Sequence, residues 1–178
     1  NREGLCLNKN IGRCIRGRFR TVEAYPRMFA RCKLRIDPLF DDLPRMLAAK
    51  KNIKTIVDIG CGYGIPACWC LENYKDARIA AIDPDPERVR VATIALGNRG
   101  NVVQGWAPDM PPLAGGLADV LLCLDMLHYV DDEIAVSVFR KSFQMLAGGG
   151  LFVARCTVPP PGRPSWSWRL EKARIQLS

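Results

Sequence analysis

From Lys54 onward the apolar positions change period in a regular order. KTIVDIG, Lys54 to Gly60, is an apolar run broken by one acid, the pattern of a strand covered on both faces. Pro66 to Asn73 contains no turn residue and predicts a short helix, and ARIAAID, Ala77 to Asp83, predicts a second strand. Asp85 then caps a helix with Pro86 at its first position, Val89, Ala92 and Leu96 as its inner stripe and Gly97 as its stop. NVVQG is a third strand and ADVLLCLD a fourth, separated by a Pro/Gly-rich loop. Asp131 and Asp132 offer caps for a helix running to about Leu146, with Ile134, Val138 and Met145 inward; GGG ends it, and LFVARCTV, Leu151 to Val158, is the fifth strand. Strands alternating with helices predict an α/β fold, a doubly wound, mostly parallel sheet of about five strands.

The flanks read differently. Residues 1–24 are basic with no strong period. Pro26 opens a helix whose apolar stripe is Met28, Phe29, Cys32 and Ile36, and whose basic stripe is Arg27, Arg31 and Arg35. Pro38 ends it. A second helix covers Leu39 to Lys50, with Pro44 interrupting it or sitting in its first turn. At the other end Pro159 to Pro164 is an extended break, and Ser165 to Leu177 an amphipathic helix. Three segments follow: a basic helical extension or lid over 1–50, a core over 51–158, and the C-terminal break and helix over 159–178.

Composition narrows the class. A chain of 178 residues, 48% hydrophobic and 25% charged, is enough for one globular domain. No apolar run approaches the roughly 20 residues of a membrane span. The N-terminus has neither an apolar signal region nor an initiator Met, so the chain reads as processed or excised, and as cytoplasmic. The net charge of +8 divides into +7 over residues 1–50, −3 over 51–150 and +4 over 151–178. Basic ends around a slightly acidic middle suit an anionic substrate, a membrane surface or nucleic acid, or simply a solvated flank. Eight cysteines without a CxxC pair, beside a single His, read as reduced, mostly buried thiols with no metal site.

The chemistry centres on VDIGCGYGIPACWC, Val57 to Cys70. In a parallel sheet the ligand sits outside the carboxyl ends of the strands, where strand order reverses. Gly60, Gly62 and Gly64 follow the first strand and let the backbone turn and approach a ligand. Asp83 ends the second strand 19 residues after Gly64, about the spacing at which a carboxylate reaches a ribose diol. GYGIPA, Gly62 to Ala67, matches the GxGxxA form of a dinucleotide site, while the absence of GK[ST] excludes a P-loop.

DIGCGYG, Asp58 to Gly64, resembles the [DE]-x-G-x-G-x-G motif of the class I S-adenosylmethionine-dependent methyltransferases, and the resemblance runs from about Ile53 to Val158. It implies a Rossmann-like fold, S-adenosylmethionine as cofactor and S-adenosylhomocysteine as product. It places Asp58 near the cationic methionine end, the backbone of Gly60, Cys61, Gly62 and Gly64 along the cofactor, and Asp83 on the ribose. Pro84 and Asp85 flank the adenine. GWAP, Gly105 to Pro108, departs from the family's gly-asp-ala step: Trp106 stands where the adenine-binding acid is common and would stack on or cover the ring, with Ala107 using its backbone and Asp109 a substitute acid. LLCLDMLHYVDD, Leu121 to Asp132, resembles the strand end of small-molecule members, with carbonyls near Cys123 and Leu124 facing the methionine ammonium. Asp125 beside the transferring methyl and His128, the sole histidine, are the catalytic candidates, each weighed against a structural role. Tyr25 and the arginine stripe are weighed as a lid against a solvated helix face.

The expected reaction is methyl transfer to a small-molecule, lipid-like or carrier-bound acceptor. The alternatives are an RNA methyltransferase, a non-catalytic scaffold domain of a larger protein, and a nicotinamide-dependent oxidoreductase resting on GYGIPA. The family's usual C-terminal antiparallel hairpin has no counterpart in the sequence, so the fifth strand is expected to leave an exposed edge open to homodimer pairing.

Overall fold

The structure, a computed structural model, describes residues 9–113 and 116–156. Five strands form one parallel sheet: β1 (Thr55–Ile59), β2 (Arg78–Asp83), β3 (Gly100–Gln104), β4 (Ala118–Leu124) and β5 (Leu146–Arg155), in the order β3-β2-β1-β4-β5. Six helices accompany them: α1 (Lys9–Arg18), α2 (Ala24–Ile36), α3 (Leu39–Leu47), α4 (Ile65–Asn73), α5 (Pro86–Leu96) and α6 (Asp132–Met145). The doubly wound sheet is the expected one. Strand order reverses between β1 and β4, which opens a crevice at their carboxyl ends.

The alternation of side chains along β1 decides which face the first acid of the glycine motif takes. Val57 and Ile59 join a cluster with Leu121, Cys123 and Val138, on the α6 face. Ile56 belongs to the larger cluster with α1, α3, α4 and α5, and period-two alternation puts Asp58 on that same side.

Four expectations are corrected. Residues 1–24 hold α1, which packs on α4; its Ile15, and Phe19 in the turn just after it, are fully buried against the core. The apolar spacing at Ile11, Ile15 and Phe19 was legible but lay hidden among five arginines and lysines of the segment Lys9–Arg20. In α2 the buried stripe is Pro26, Ala30 and Leu34, not Met28, Phe29, Cys32 and Ile36, all of which are exposed. Pro44 lies inside α3, neither interrupting it nor in its first turn. The start of β5 moves as well: the strand begins at Leu146, because Ala118 pairs with Leu146 before a register shift. The glycine run is therefore an irregularity within the strand: a Cβ on Gly150 would meet Ala147 O at 2.9 Å and Ala118 O at 3.1 Å. The proline-rich break and last helix lie outside the described residues. No described helix is long and apolar enough to cross a membrane.

Candidate active site in the β1–β4 crevice

A cavity of about 520 Å³ opens at the crevice. One side is made by the end of β1, the glycine loop and Leu124, and includes Asp58, Gly60, Cys61 and Gly62. The other is made by α2, the turn after β4 and the end of β5.

On the first side, the glycine loop is pinned from below. Gly60 N and Cys61 N both donate to Ile82 O, at 2.9 and 3.1 Å. Asp83 Oδ2 accepts from Gly62 N at 2.7 Å, and Asp83 Oδ1 accepts from Asp85 N at 3.1 Å. Asp83 is thus a brace for the loop. Two glycines are required for different reasons. Gly60, at φ 69°, passes so close to the turn after β4 that a Cβ would lie 2.7 Å from Met126 Cβ. Gly62, at φ 55°, has nothing within 4 Å of where a Cβ would be, and its open face lies on the cavity.

Asp58 is the anomaly of this side. It is 1% exposed, and its Oδ2 has no hydrogen-bond partner among the described residues. Burial, and then the nearby charge of Asp83, push its carboxyl up to about 7, against a smaller opposing pull from Lys33. Burial also raises Asp83, despite the bonds from Asp85 and Gly62. Two buried acids at one strand-end crevice form a site that waits for a positive charge.

The second side is the reverse. Arg155, the last residue of β5, donates from Nε to Asp125 Oδ1 at 2.7 Å and from Nη2 to Asp37 Oδ2 at 2.9 Å. Its Nη2 also pairs with Asp125 Oδ2. Lys33 Nζ reaches Asp37 at 2.8 Å and Asp125 at 3.6 Å. For Asp37, burial alone would raise the carboxyl, but the bonds from Arg155 and Lys33 outweigh it and hold the group well below the usual carboxylate range. Asp125 takes the left-handed conformation, φ 59°, which Asp tolerates better than most residues. Its N–H donates to Arg155 O at 2.9 Å, so Arg155 fixes both the backbone and the side chain of the turn that carries His128.

Of the residues singled out in the sequence, Asp58, Gly60, Cys61, Gly62, Leu124, Asp125 and His128 line one cavity, and Asp83 braces its floor. Gly64 is the left-handed residue before α4. Pro84, Trp106 and Ala107 do not line the cavity. Trp106 is 71% exposed because Ala107, Met110 and Leu113 supply the loop's contacts to the core. The arginine stripe and Tyr25 part company: Arg31 and Arg35 are exposed, while Tyr25 lines the cavity. Cys156 is exposed at the cavity rather than buried in the core. Lys33, Asp37 and Arg155 had no sequence signal, since Asp37 and Arg155 lie 118 residues apart.

A parallel sheet with a glycine loop after β1, an unpaired buried acid before it and a second acid at the end of β2 defines a nucleoside-cofactor enzyme fold. The methyltransferase-domain family matches residues 57–154, and the chain belongs to that family, the class I S-adenosylmethionine-dependent methyltransferases. This decides against the nicotinamide reading of Gly62 to Ala67. Ribosomal RNA large subunit methyltransferase G of Colwellia psychrerythraea is 26% identical over 147 residues, 73% of this chain and 35% of that protein. Erythromycin 3''-O-methyltransferase of Saccharopolyspora erythraea is 31% identical over 110 residues, 58% of this chain and 35% of that protein. The chain therefore spans about a third of the length of these relatives. In fold it is similar to the S-adenosylmethionine-bound amino pentose methyltransferase CalS10 of Micromonospora echinaspora, with a TM-score of 0.63 at 19% identity over 78% of this chain and 58% of that one. It is also similar to the pyocyanin biosynthetic protein PhzM, with a TM-score of 0.62 at 21% identity over 89% of this chain and 47% of that one.

Proposed function

We propose that this chain transfers a methyl group from S-adenosylmethionine to a small-molecule or lipid-like acceptor. The observation that carries the reading is Asp58: a buried, cavity-lining carboxylate with an oxygen that no described residue hydrogen-bonds. An ammonium fits that vacancy in charge and hydrogen bonding. The open face of Gly62 gives the cofactor backbone-close access, and Asp83 keeps a lone pair on each oxygen for the ribose beyond its two backbone bonds. S-adenosylmethionine, when bound, supplies a methyl carbon on a sulfonium; a nucleophile takes that carbon, the C–S bond pair stays on sulfur, and S-adenosylhomocysteine and a proton are released.

The residues of the second side then have roles by position. Arg155 and Lys33 both pair with Asp125 and hold its side chain against the end of β5 and α2. Asp125 is a positioning residue that sets the turn after β4. His128 lines the cavity from that turn, and imidazole is the side chain suited to take a proton from an acceptor hydroxyl near neutral pH. The remaining requirement is alignment of the acceptor and exclusion of water, which α2 serves by covering the cavity with Tyr25, Phe29 and Lys33.

A second reading, RNA as acceptor, is favoured by the similarity to the ribosomal RNA enzyme and by exposed Arg13 and Arg16 on α1 and Arg20 in the turn after it. Calorimetric titration of S-adenosylhomocysteine, with NADH as control, tests the main reading. Micromolar binding of the first alone, lost in Asp83→Ala, supports it; absence of binding sinks it for this chain. An RNA acceptor would show itself by affinity that falls steeply with salt.

A further inference from the structure

The cofactor proposed above takes the first side of the cavity, and the second side is where the acceptor would meet it. We infer that this second side receives a planar, uncharged aromatic ring as the methyl acceptor, an inference that rests on the methyltransferase reading above.

Three observations carry it. First, this side is walled by rings from separate elements. Tyr25 and Phe29 come from α2 and His128 and Tyr129 from the turn after β4, while Tyr63 of the glycine loop meets the α2 rings from the first side. Secondly, the rings are held in place. Phe29 meets Tyr63 edge-on, centroids 5.6 Å apart at 66°, and Tyr25 meets Tyr63 at 6.5 Å and 72°. The His128 and Tyr129 rings lie 4.2 Å apart. Rings fixed by edge contacts are preorganised and lose little freedom on binding. Tyr25 nevertheless remains 59% exposed and Phe29 39%, an aromatic surface left open at the mouth of a small-molecule-sized cavity.

Thirdly, the charged side chains that α2, the residue after it, the turn after β4 and the end of β5 place on this side are, among the described residues, spent on one another. Lys33, Asp37, Asp125 and Arg155 pair with one another, two cations to two anions. A carboxylate or phosphate on the acceptor would have to displace one of these pairs, and an ammonium would have to compete for them. A neutral ring bearing a hydroxyl meets neither cost, and its flat faces match the aromatic walls.

The test uses a matched pair of alcohols, 1-naphthol and decahydro-1-naphthol, titrated into the chain with and without S-adenosylhomocysteine. The expected result is tighter binding of the flat ring, by roughly three- to tenfold, with the preference abolished in Phe29→Leu, which keeps apolar bulk but removes the ring. Phe143→Leu, at a residue of α6 that is 71% exposed and outside the cavity, leaves the preference intact. Equal affinity for the two alcohols, no binding of either, or a preference that survives Phe29→Leu overturns the inference. So does displacement of 1-naphthol by a short single-stranded RNA, which would assign the aromatic wall to an RNA base. Loss of S-adenosylhomocysteine binding alone would sink the methyltransferase reading, while naphthol binding to the cofactor-free chain is read separately.

Discussion

Two corners of one cavity treat buried charge in opposite ways. At the end of β1, Asp58 is buried beside another acid and keeps an oxygen unsatisfied. At the ends of β4 and β5, Asp37 and Asp125 are matched by Arg155 and Lys33. The first corner gives up stability to stay receptive; the second is complete without any ligand and ties α2 to the sheet. Unmet charge thus marks where a ligand belongs, and met charge marks what positions the walls around it.

Breaking the satisfied corner should have the largest effect on folding. Arg155→Met leaves Asp37 and Asp125 with only Lys33 between them. Loss of one partner from a largely desolvated network predicts destabilisation of about 3 kcal/mol, measured by urea unfolding near pH 7. The pH response gives a second signature. Because the Asp37 carboxyl is depressed in the folded chain, its stabilisation is present above the unfolded value and is lost as pH falls through the folded one. Arg155→Met should blunt that acid-side loss. An unchanged acid limb would mean that Lys33 alone holds Asp37.

Asp58→Asn should act in the opposite sense on the other corner. It is expected to weaken S-adenosylhomocysteine by about 10- to 100-fold, the loss of a charge-assisted contact of about 1.5–3 kcal/mol. The cofactor-free chain should become more stable at pH 8. The sign follows from the raised carboxyl: between the model-compound value of 3.8 and about 7, the folded chain holds a proton that the unfolded chain has released. Stability from this group is therefore highest below that window and falls as pH climbs through it. Thermal melts from pH 4 to 8 should show that decline in the parent chain and a shallower one in Asp58→Asn, where Asp83 still contributes. Cofactor affinity should run the other way, rising as pH passes 7 and the carboxylate forms.

Gly62→Ala sharpens the same comparison with a smaller change. Among the described residues no atom lies within 4 Å of the new methyl, so the folding cost is the left-handed backbone alone, about 1 kcal/mol. The methyl does project where the cofactor is proposed to lie. Affinity for S-adenosylhomocysteine should fall by more than the loss in stability implies, and equal losses would place the ligand elsewhere.

The two corners also differ in how much the sequence reveals. Asp58, the glycines and Asp83 are local: they sit at strand ends whose positions follow from apolar periodicity, and their chemistry follows from short spacings. The quartet is assembled from α2, the residue after it, the turn after β4 and the end of β5. No spacing encodes it, because its members meet only through the order in which the strands are laid side by side. The same limit explains the face of α2. Both of its stripes had helical period, and only the surrounding packing decided that Ala30 and Leu34 go inward while Phe29 faces the cavity. The glycine run before Leu151 misled for a related reason, since its partner across the sheet, Ala118, is distant in sequence.

Trp106 is the residue on which a sequence expectation and the structure disagree most, and its removal should have the smallest effect. The family's pattern places an adenine contact there. The structure puts the indole 71% in solvent and outside the cavity lining, with the loop held to the core by Ala107, Met110 and Leu113 instead. A ring stacked on a base loses about 1–3 kcal/mol of binding on truncation, roughly five- to 150-fold in affinity. An exposed ring that makes no such contact loses almost none. Trp106→Ala should therefore leave S-adenosylhomocysteine affinity within about threefold, and with it the stability of the chain, because a mostly exposed side chain buries little apolar area. A tenfold loss would show that the loop closes over the adenine when the cofactor binds, and that the receptive corner extends from Asp58 along β2 as far as the end of β3.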